Sequence, residues 1–336
     1  MMTAPYLLNV WYMAAWQEEV DGKAWLARKL LGQNWLIFEQ EDGTYAMVQD
    51  RCPHRFAPLS MGKRVGDTIA CGYHGLRFDG KGQCVHNPFS DMIPPAAKLA
   101  TYPVVARHGI LWFWPGEAEA ADPATIPDFT ILDDPRPMVR QSMRMQAHYE
   151  LLTDNLMDLS HVEFVHENTF NSGGVFWLGQ HHAFQDEQGA IWSNWAVEDV
   201  PPPPFVPQLK GRNCNRWTKM RWNAPATMML EVGCAPHDAP QDTSAFPTMR
   251  NPHIVTPESE NSSWYFYNCE PGEESIAFAR KVFEDEDQPM LEAVQQAMDG
   301  QDFWDMRPVV LNIDGGAIRA RRHLEKMKKA EAAPLS

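Results

Sequence analysis

The chain has 336 residues, 29 Lys and Arg against 44 Asp and Glu, and a formal net charge of −15 with histidine neutral. That length supports one large domain or two ordinary ones, each with a full core, and the acidic balance excludes a protein whose main partner is nucleic acid. The first twenty residues lack the basic stretch and apolar core of a secretory signal, and no run of about 18 apolar residues spans a membrane. A cytoplasmic protein with no membrane partner is therefore expected, and its six cysteines read as metal ligands or buried thiols rather than a disulfide framework.

The first third reads as short strands joined by tight turns. Trp35–Phe38 and Tyr45–Val48 flank Asp42-Gly43, a hairpin signal, and a second hairpin pairs Leu76–Phe78 with Gln83–Val85 across Asp79-Gly80-Lys81-Gly82. Ile110–Trp114 is a buried strand closed by Pro115-Gly116. Prolines at 115, 123, 127, 135 and 137 then interrupt any regular element. The spacing predicts a first domain over 1–116, a proline-punctuated linker over 117–138 and a second domain over 139–336. Within the second, Glu150–His166 has helical character, Pro201–Pro204 reads as an extended polyproline loop, and Met228–Val232 and Trp264–Tyr267 read as strands. Ser275–Met298 reads as helix, with Pro289 a local break or start, and Ala317–Ala330 as a basic C-terminal helix.

The sharpest chemical signal is Cys52-Pro53-His54 and Cys71-Gly72-Tyr73-His74, two Cys–His couples with residues 55–70 between them. Two thiolates and two imidazoles bind Zn²⁺ tetrahedrally or hold a [2Fe–2S] centre with both Cys on one iron and both His on the other. One Cys and one His per loop favours the second, because two matching loops clamp an asymmetric cluster from both sides. Gly72, Gly75, Pro53 and Pro58 supply turns that bring main-chain N–H groups towards the cluster sulfurs. Cys84, Cys214, Cys234 and Cys269 read as packing thiols, with the last three isolated from one another.

The segments Cys52–Ser60 and Cys71–Leu76 resemble the Rieske domain of non-haem iron oxygenases. A second metal site is sought in the rest of the chain. On a helix, Asp154, Asp158 and His161 share one face. His166 lies five positions after His161, about 140° round, so the helix must end, bulge or tighten for both to reach one ion. Two His and one carboxylate on one face of Fe(II) leave positions open for O₂ and substrate. The carboxylate must come from elsewhere; Asp287 in Phe283–Glu292 is the best candidate and Asp285 the runner-up.

The order Asp154, Asp158, His161, His166 and a later Asp looks like the catalytic domain of the same oxygenases, most closely the vanillate and dicamba O-demethylase oxygenase components. Gly82–Pro88 and Leu311–Gly316 with Arg321-Arg322 extend the likeness over almost the whole chain. The resemblance implies an α+β fold, with an all-β Rieske domain followed by a helix-grip catalytic domain of antiparallel sheet and helices. It implies Cys52, His54, Cys71 and His74 as ligands of a Rieske [2Fe–2S] cluster, and His161, His166 and Asp287 as ligands of a mononuclear Fe(II). It further implies a catalytic role for Asp158 and Asn155, with Asp158 linking His161 to His74 of a neighbouring subunit in a head-to-tail homotrimer.

The implied activity is that of a monooxygenase: O₂, and electrons drawn from NAD(P)H through a ferredoxin or flavin reductase, oxidise an aromatic acid. O-demethylation of a methoxyarene is the favoured outcome. Ring hydroxylation, N-demethylation and side-chain hydroxylation are the rivals, and a zinc-stabilised binding protein is the non-enzymatic one. His253 matches a position where dicamba-type relatives have a histidine and is the candidate to bind a substrate carboxylate; Leu230, Phe278 and the Pro201–Pro204 loop are further pocket candidates, and at Leu230 those relatives carry a polar amide that is missing here. Between Arg51 and Lys81 six basic residues face two acidic ones, a local excess suited to steering an acidic electron donor or to pairing across a subunit interface.

Overall fold

The computed structural model describes residues 5–333 apart from 171–172, 204–205, 240–245 and 247. The chain forms two compact units. The first runs to Asp134 and takes in Thr256–Glu260 and the tail from Glu331; the second comprises Pro135–Val255 and Asn261–Ala330. The proline-punctuated stretch up to Asp134 thus belongs to the first unit, where it winds into single 3-10 turns at Ala118–Ala120, Pro123–Thr125 and Thr130–Asp133.

The first unit holds three antiparallel sheets. β1 (Tyr12–Trp16), β11 (Ile110–Phe113) and β10 (Val104–Arg107) form one; β2 (Leu26–Leu30), β3 (Gln33–Glu39), β4 (Tyr45–Gln49) and β9 (Thr101–Tyr102) form another. The third is β5 (Lys63–Val65), β6 (Thr68–Ala70), β7 (Arg77–Phe78) and β8 (Cys84–His86). Both expected hairpins are present, as β3–β4 and β7–β8. The second turns on Asp79, whose carboxylate accepts from the Lys81 and Gln83 N–H groups at 3.0 and 2.8 Å. Gly82 sits there with φ +73°, and a Cβ would come within 2.5 Å of the Leu99 carbonyl, so only glycine fits. Leu36, Phe38, Val48, Leu59, Ile69 and Phe78 pack into one core that also contains Cys52 and Cys71.

The second unit is a seven-stranded antiparallel sheet in the order β12-β18-β17-β16-β15-β14-β13. Its strands are β12 (Val139–Met145), β13 (Gln180–Gln185), β14 (Ile191–Val200), β15 (Cys214–Asn223), β16 (Thr227–Pro236), β17 (Thr248–Ser259) and β18 (Ser262–Cys269). With it go the helices α1 (Tyr149–Met157), α2 (Glu273–Arg280), α3 (Gln288–Met298) and α4 (Gly315–Glu331). This is the expected antiparallel sheet with helices. No described helix is long and apolar enough to cross a membrane.

Two local expectations are corrected, and one pair of alternatives is decided. The helix expected over Glu150–His166 stops at Met157. Asp158 leaves it at φ −110°, ψ 91°, and its carboxylate caps a 3-10 turn over Leu159–Glu163 by accepting from the Ser160 N–H at 3.0 Å; a short acidic side chain competes with the helix for main-chain donors. Pro289 starts a helix rather than breaking one, since α3 begins at Gln288 with Pro289 in its first turn. α2 runs through a π-helix at Lys281–Asp287 directly into α3; Pro289 donates no N–H, and the wider winding upstream absorbs the lost bond. Cys214 and Cys234, expected to be isolated, share a small buried cluster with Val206, because antiparallel pairing of β15 with β16 sets Cys214 opposite Pro236 and Arg216 opposite Cys234.

Candidate metal centres

The two Cys–His loops of the first unit are one turn built twice. The Cys52 N–H donates to the Ala57 carbonyl (2.9 Å) and the Phe56 N–H to the Cys52 carbonyl (2.9 Å); the Cys71 N–H donates to Leu76 (2.8 Å) and the Gly75 N–H to Cys71 (3.0 Å). The fifth residue of each is left-handed, Phe56 at φ +61° and Gly75 at φ +74°. Phe56 bears the steric cost that glycine escapes, of about 1 kcal/mol.

These turns bury both thiols, Cys52 and Cys71 being 2% and 3% exposed. Burial, with the neighbouring Cys71 thiol adding to it, pushes the Cys52 thiol up to about 11, so a bound cation is what would ionise the pair. The imidazoles lie further out: His54 is exposed, His74 is half-buried, and their ring centroids are 4.5 Å apart. Tyr73 covers His74 at 4.0 Å. Two buried thiols inside and two adjacent imidazoles outside match the donor asymmetry of a Rieske cluster. Cys84 stays in the core, its Sγ 3.5 Å from the His86 carbonyl.

In the second unit, His161 Nε2, His166 Nε2 and Asp287 Oδ1 converge. The two nitrogens are 3.3 Å apart, and they lie 3.7 and 3.4 Å from the carboxylate oxygen. Among the described residues this is the set of three whose ligand atoms all gather within 4.8 Å. Their protonation follows from the far side of each ring. His161 Nδ1 bonds the Asp158 main-chain carbonyl and His166 Nδ1 lies 2.8 Å from Glu286 Oε2; both oxygens only accept, so each neutral ring carries its hydrogen on Nδ1. Both Nε2 atoms then present lone pairs to each other and to a carboxylate. Three bases facing one point with no proton between them fit a divalent cation, and the 2-His-1-carboxylate set is that of non-haem iron. Burial holds His161 below the usual histidine range. It works the same way on His166, where Asp287 and Glu286 outweigh it and raise the value.

Neighbours fix these three side chains. Glu286 Oε2 also accepts from Thr169 Oγ1 at 2.5 Å. Asn155 Nδ2 donates to Asp287 Oδ1 at 3.2 Å. Asp158 holds His161 through its carbonyl and Ser160 through its carboxylate, at 2.7 Å to the hydroxyl. Asp154 does not join the site: the end of its carboxylate is taken by Arg321 at 2.6 to 2.8 Å. Asp285 is exposed whereas Asp287 is 4% exposed. Glu286 and Thr169 were missed by sequence reasoning, and no periodicity would have found them, since Glu286 lies in an acidic run that reads equally well as a solvated helix start.

Of the pocket candidates, His253 is buried on β17 with Nδ1 2.5 Å from the Tyr265 hydroxyl. Leu230 lies half-buried on β16, opposite Asn251 of β17 and Met220 of β15. Phe278, 41% exposed, meets Phe170 edge-on at 5.1 Å, and Phe170 in turn meets His166 at 5.9 Å. Of the polyproline loop, Pro204 lies outside the described residues.

Comparison with known proteins covers both units. Residues 10–103 match the Rieske [2Fe-2S] domain, and residues 145–330 match the vanillate O-demethylase oxygenase C-terminal domain. The oxygenase component of chloroacetanilide N-alkylformylase from Rhizorhabdus wittichii is 35% identical across 98% of this chain and 97% of its own length. The oxygenase component of dicamba O-demethylase from Stenotrophomonas maltophilia is 34% identical across 98% and 99%. A crystal structure of dicamba monooxygenase with non-haem iron and dicamba superposes with a TM-score of 0.83, at 32% identity over 99% of this chain and 100% of that one.

Proposed function

The chain belongs to the Rieske non-haem iron oxygenases, as an oxygenase component of the vanillate O-demethylase type, and on that footing we propose that it removes the methyl group of a methoxyarene as formaldehyde. This membership displaces the zinc-binding alternative. The observation that carries the proposal is the convergence of His161 Nε2, His166 Nε2 and Asp287 Oδ1, three unprotonated donors on one point.

In this reading Cys52, His54, Cys71 and His74 hold the Rieske cluster, and His161, His166 and Asp287 hold the iron. When bound, the two groups supply single-electron delivery and O₂ activation. The rest falls to the chain. Glu286 and the Asp158 carbonyl keep both imidazole Nε2 atoms free of protons, and Asn155 fixes the Asp287 oxygen. Asp158, joined through its carbonyl to His161, connects it to His74 of a neighbouring copy in a head-to-tail trimer. In the substrate, the methyl C–H becomes C–OH; the hemiacetal then collapses to a phenol and formaldehyde, with two electrons and two protons taken up and water released.

A reductase or ferredoxin supplies those electrons. The basic excess near the cluster is smaller than its sequence suggests. Arg64 is tied to the Gly66 and Glu39 carbonyls (2.6 and 2.8 Å) and to Asp67 (3.2 Å), and lies over the Phe38 ring at 4.2 Å. Arg51, Arg55, Lys63 and Lys81 remain exposed and are the charges available for steering a donor.

The experiment supplies NADH and a surrogate ferredoxin–reductase pair, and follows O₂ uptake and formaldehyde across methoxyarenes. Formaldehyde equal to the O₂ consumed is expected; a hydroxylated product that keeps its methyl group would assign the chain to ring hydroxylation. N-dealkylation is the second reading, favoured by the N-alkylformylase relative, and N-alkyl anilides belong in the same panel.

A further inference from the structure

Alternate residues of β15 share a face, and Cys214, Met220 and Trp222 on that face are fully buried. Arg216 and Thr218, between them, are only half-buried, as are Leu230 and Val232 beside them on β16. A recess opens there in an otherwise closed face, lined by Arg216, Thr218, Val232, Trp195, Val197 and Val175. It lies on the side of the sheet that carries the second centre. A Cβ on Gly316 would stand 2.6 Å from Ser193 Cβ and 3.2 Å from the Met157 carbonyl oxygen. The end of α1, from which the His161 turn follows directly, therefore crosses this face at Ser193, two residues along β14 from Trp195. Val175 follows Gly174, whose N–H donates to Glu163 Oε2 at 3.1 Å, and Glu163 stands in the chain between His161 and His166.

Arg216 brings a charge into this apolar recess. No described residue pairs with its guanidinium or accepts a hydrogen bond from it. The carboxylate whose field reaches it is that of Glu163, which is already engaged with Gly174. A partly desolvated cation without a partner is costly, and an anion placed in the recess would remove that cost. We infer that Arg216 is a specificity residue of this centre, and that it receives the carboxylate of an aromatic acid while the ring lies against Trp195, Val197 and Val232. The planar guanidinium offers two parallel N–H donors to the two carboxylate oxygens. His253, the candidate from the sequence, has no charge to offer that group, since burial holds it down to about 4. The inference rests on the demethylase reading of the same centre and assigns the residue that selects its substrate.

The test is isothermal titration of the full chain, loaded with both metal groups and kept anaerobic, with the three methoxybenzoate isomers and the primary carboxamide of each. For at least one isomer the acid is expected to bind about tenfold tighter than its amide. Arg216→Met is expected to weaken that acid by about tenfold or more and its amide by less than about threefold. Arg216→Lys, which keeps the charge and loses the fork, should fall between wild type and Arg216→Met. The wild-type ratio decides the matter even if Arg216→Met fails to fold. Amides that bind as tightly as every acid, no binding of any probe, or an Arg216→Met variant that weakens acid and amide alike would overturn the subsite. Formaldehyde from the amides, with the acids bound no better, would sink the subsite and leave the demethylase standing; an acid held through Arg216 but oxidised without formaldehyde would do the reverse.

Discussion

Glu286 Oε2 lies 2.8 Å from His166 Nδ1, while the next residue, Asp287, points its own carboxylate at His166 Nε2 from 3.4 Å. Two consecutive side chains thus address opposite nitrogens of one imidazole. The π-helix at Lys281–Asp287 makes this possible, since its wider winding turns successive residues through a smaller angle than the 100° of an α-helix.

Glu286 is therefore expected to orient His166 without touching the metal. Glu286→Ala should weaken iron binding by about 10- to 100-fold, with Glu286→Gln much milder because its carbonyl still accepts from Nδ1. Iron titration of the apo-centre reads this out; equal affinity in all three proteins would remove the role.

Asp158→Asn should keep both metal groups, because the carbonyl that holds His161 belongs to the main chain. Its effect should fall on electron transfer. Stopped-flow reoxidation of the reduced cluster by O₂ and substrate is expected to slow by at least about tenfold, which is about 1.4 kcal/mol in the barrier. Reoxidation at the wild-type rate would contradict the bridging assignment.

Helix α4 clamps α1, the helix that carries Asn155. Buried Arg321 grips Asp154 fork-to-fork and reaches Glu150 at 2.9 Å, where Lys328 also binds. Arg321→Met would leave half-buried Asp154 without its partner, and a loss of about 2–3 kcal/mol in urea unfolding is expected. A change under about 1 kcal/mol would show the clamp to be dispensable.

His148 caps α1 by accepting from the Glu150 N–H at 3.3 Å, and burial holds it down to about 4 against a usual 6.5, Glu150 opposing. The unfolded chain therefore binds a proton that the folded chain refuses between those values. Stability should be fully present above pH 6.5 and fall as pH drops towards 4, by about 1.4 kcal/mol for each pH interval of one between those values. His148→Asn keeps a cap and removes the titration, so its unfolding midpoint should fall less between pH 7 and 5. An unchanged slope would put the acid sensitivity elsewhere, His253 being the next group with the same sign.

What could be read in advance was what lies close in sequence. Each Cys–His loop is a single turn, and His161 and His166 are five residues apart, so their types and spacing carry the chemistry. Asp287 was preferred over Asp285 in an acidic run, and burial separates the two in the fold. The end of the helix at Asp158 was also available, as an Asp two residues before the Ser it caps. Glu286 and the β13–β15 strands were not. Glu286 depends on a change of helical winding. β15 alternates Arg, Lys and Asn with Trp and Met between neighbouring strands, which masks the simple apolar pattern of a buried strand.

Two separate iron sites in one chain are the central claim, and the iron content of His161→Ala, measured alongside its Rieske EPR signal, tests it most directly. Wild type should hold about three iron atoms per chain, two in the cluster and one at His161, His166 and Asp287. The variant should fall to about two, with the EPR signal of the reduced cluster unchanged. Three irons retained in the variant, or loss of the cluster signal together with the iron, would contradict it.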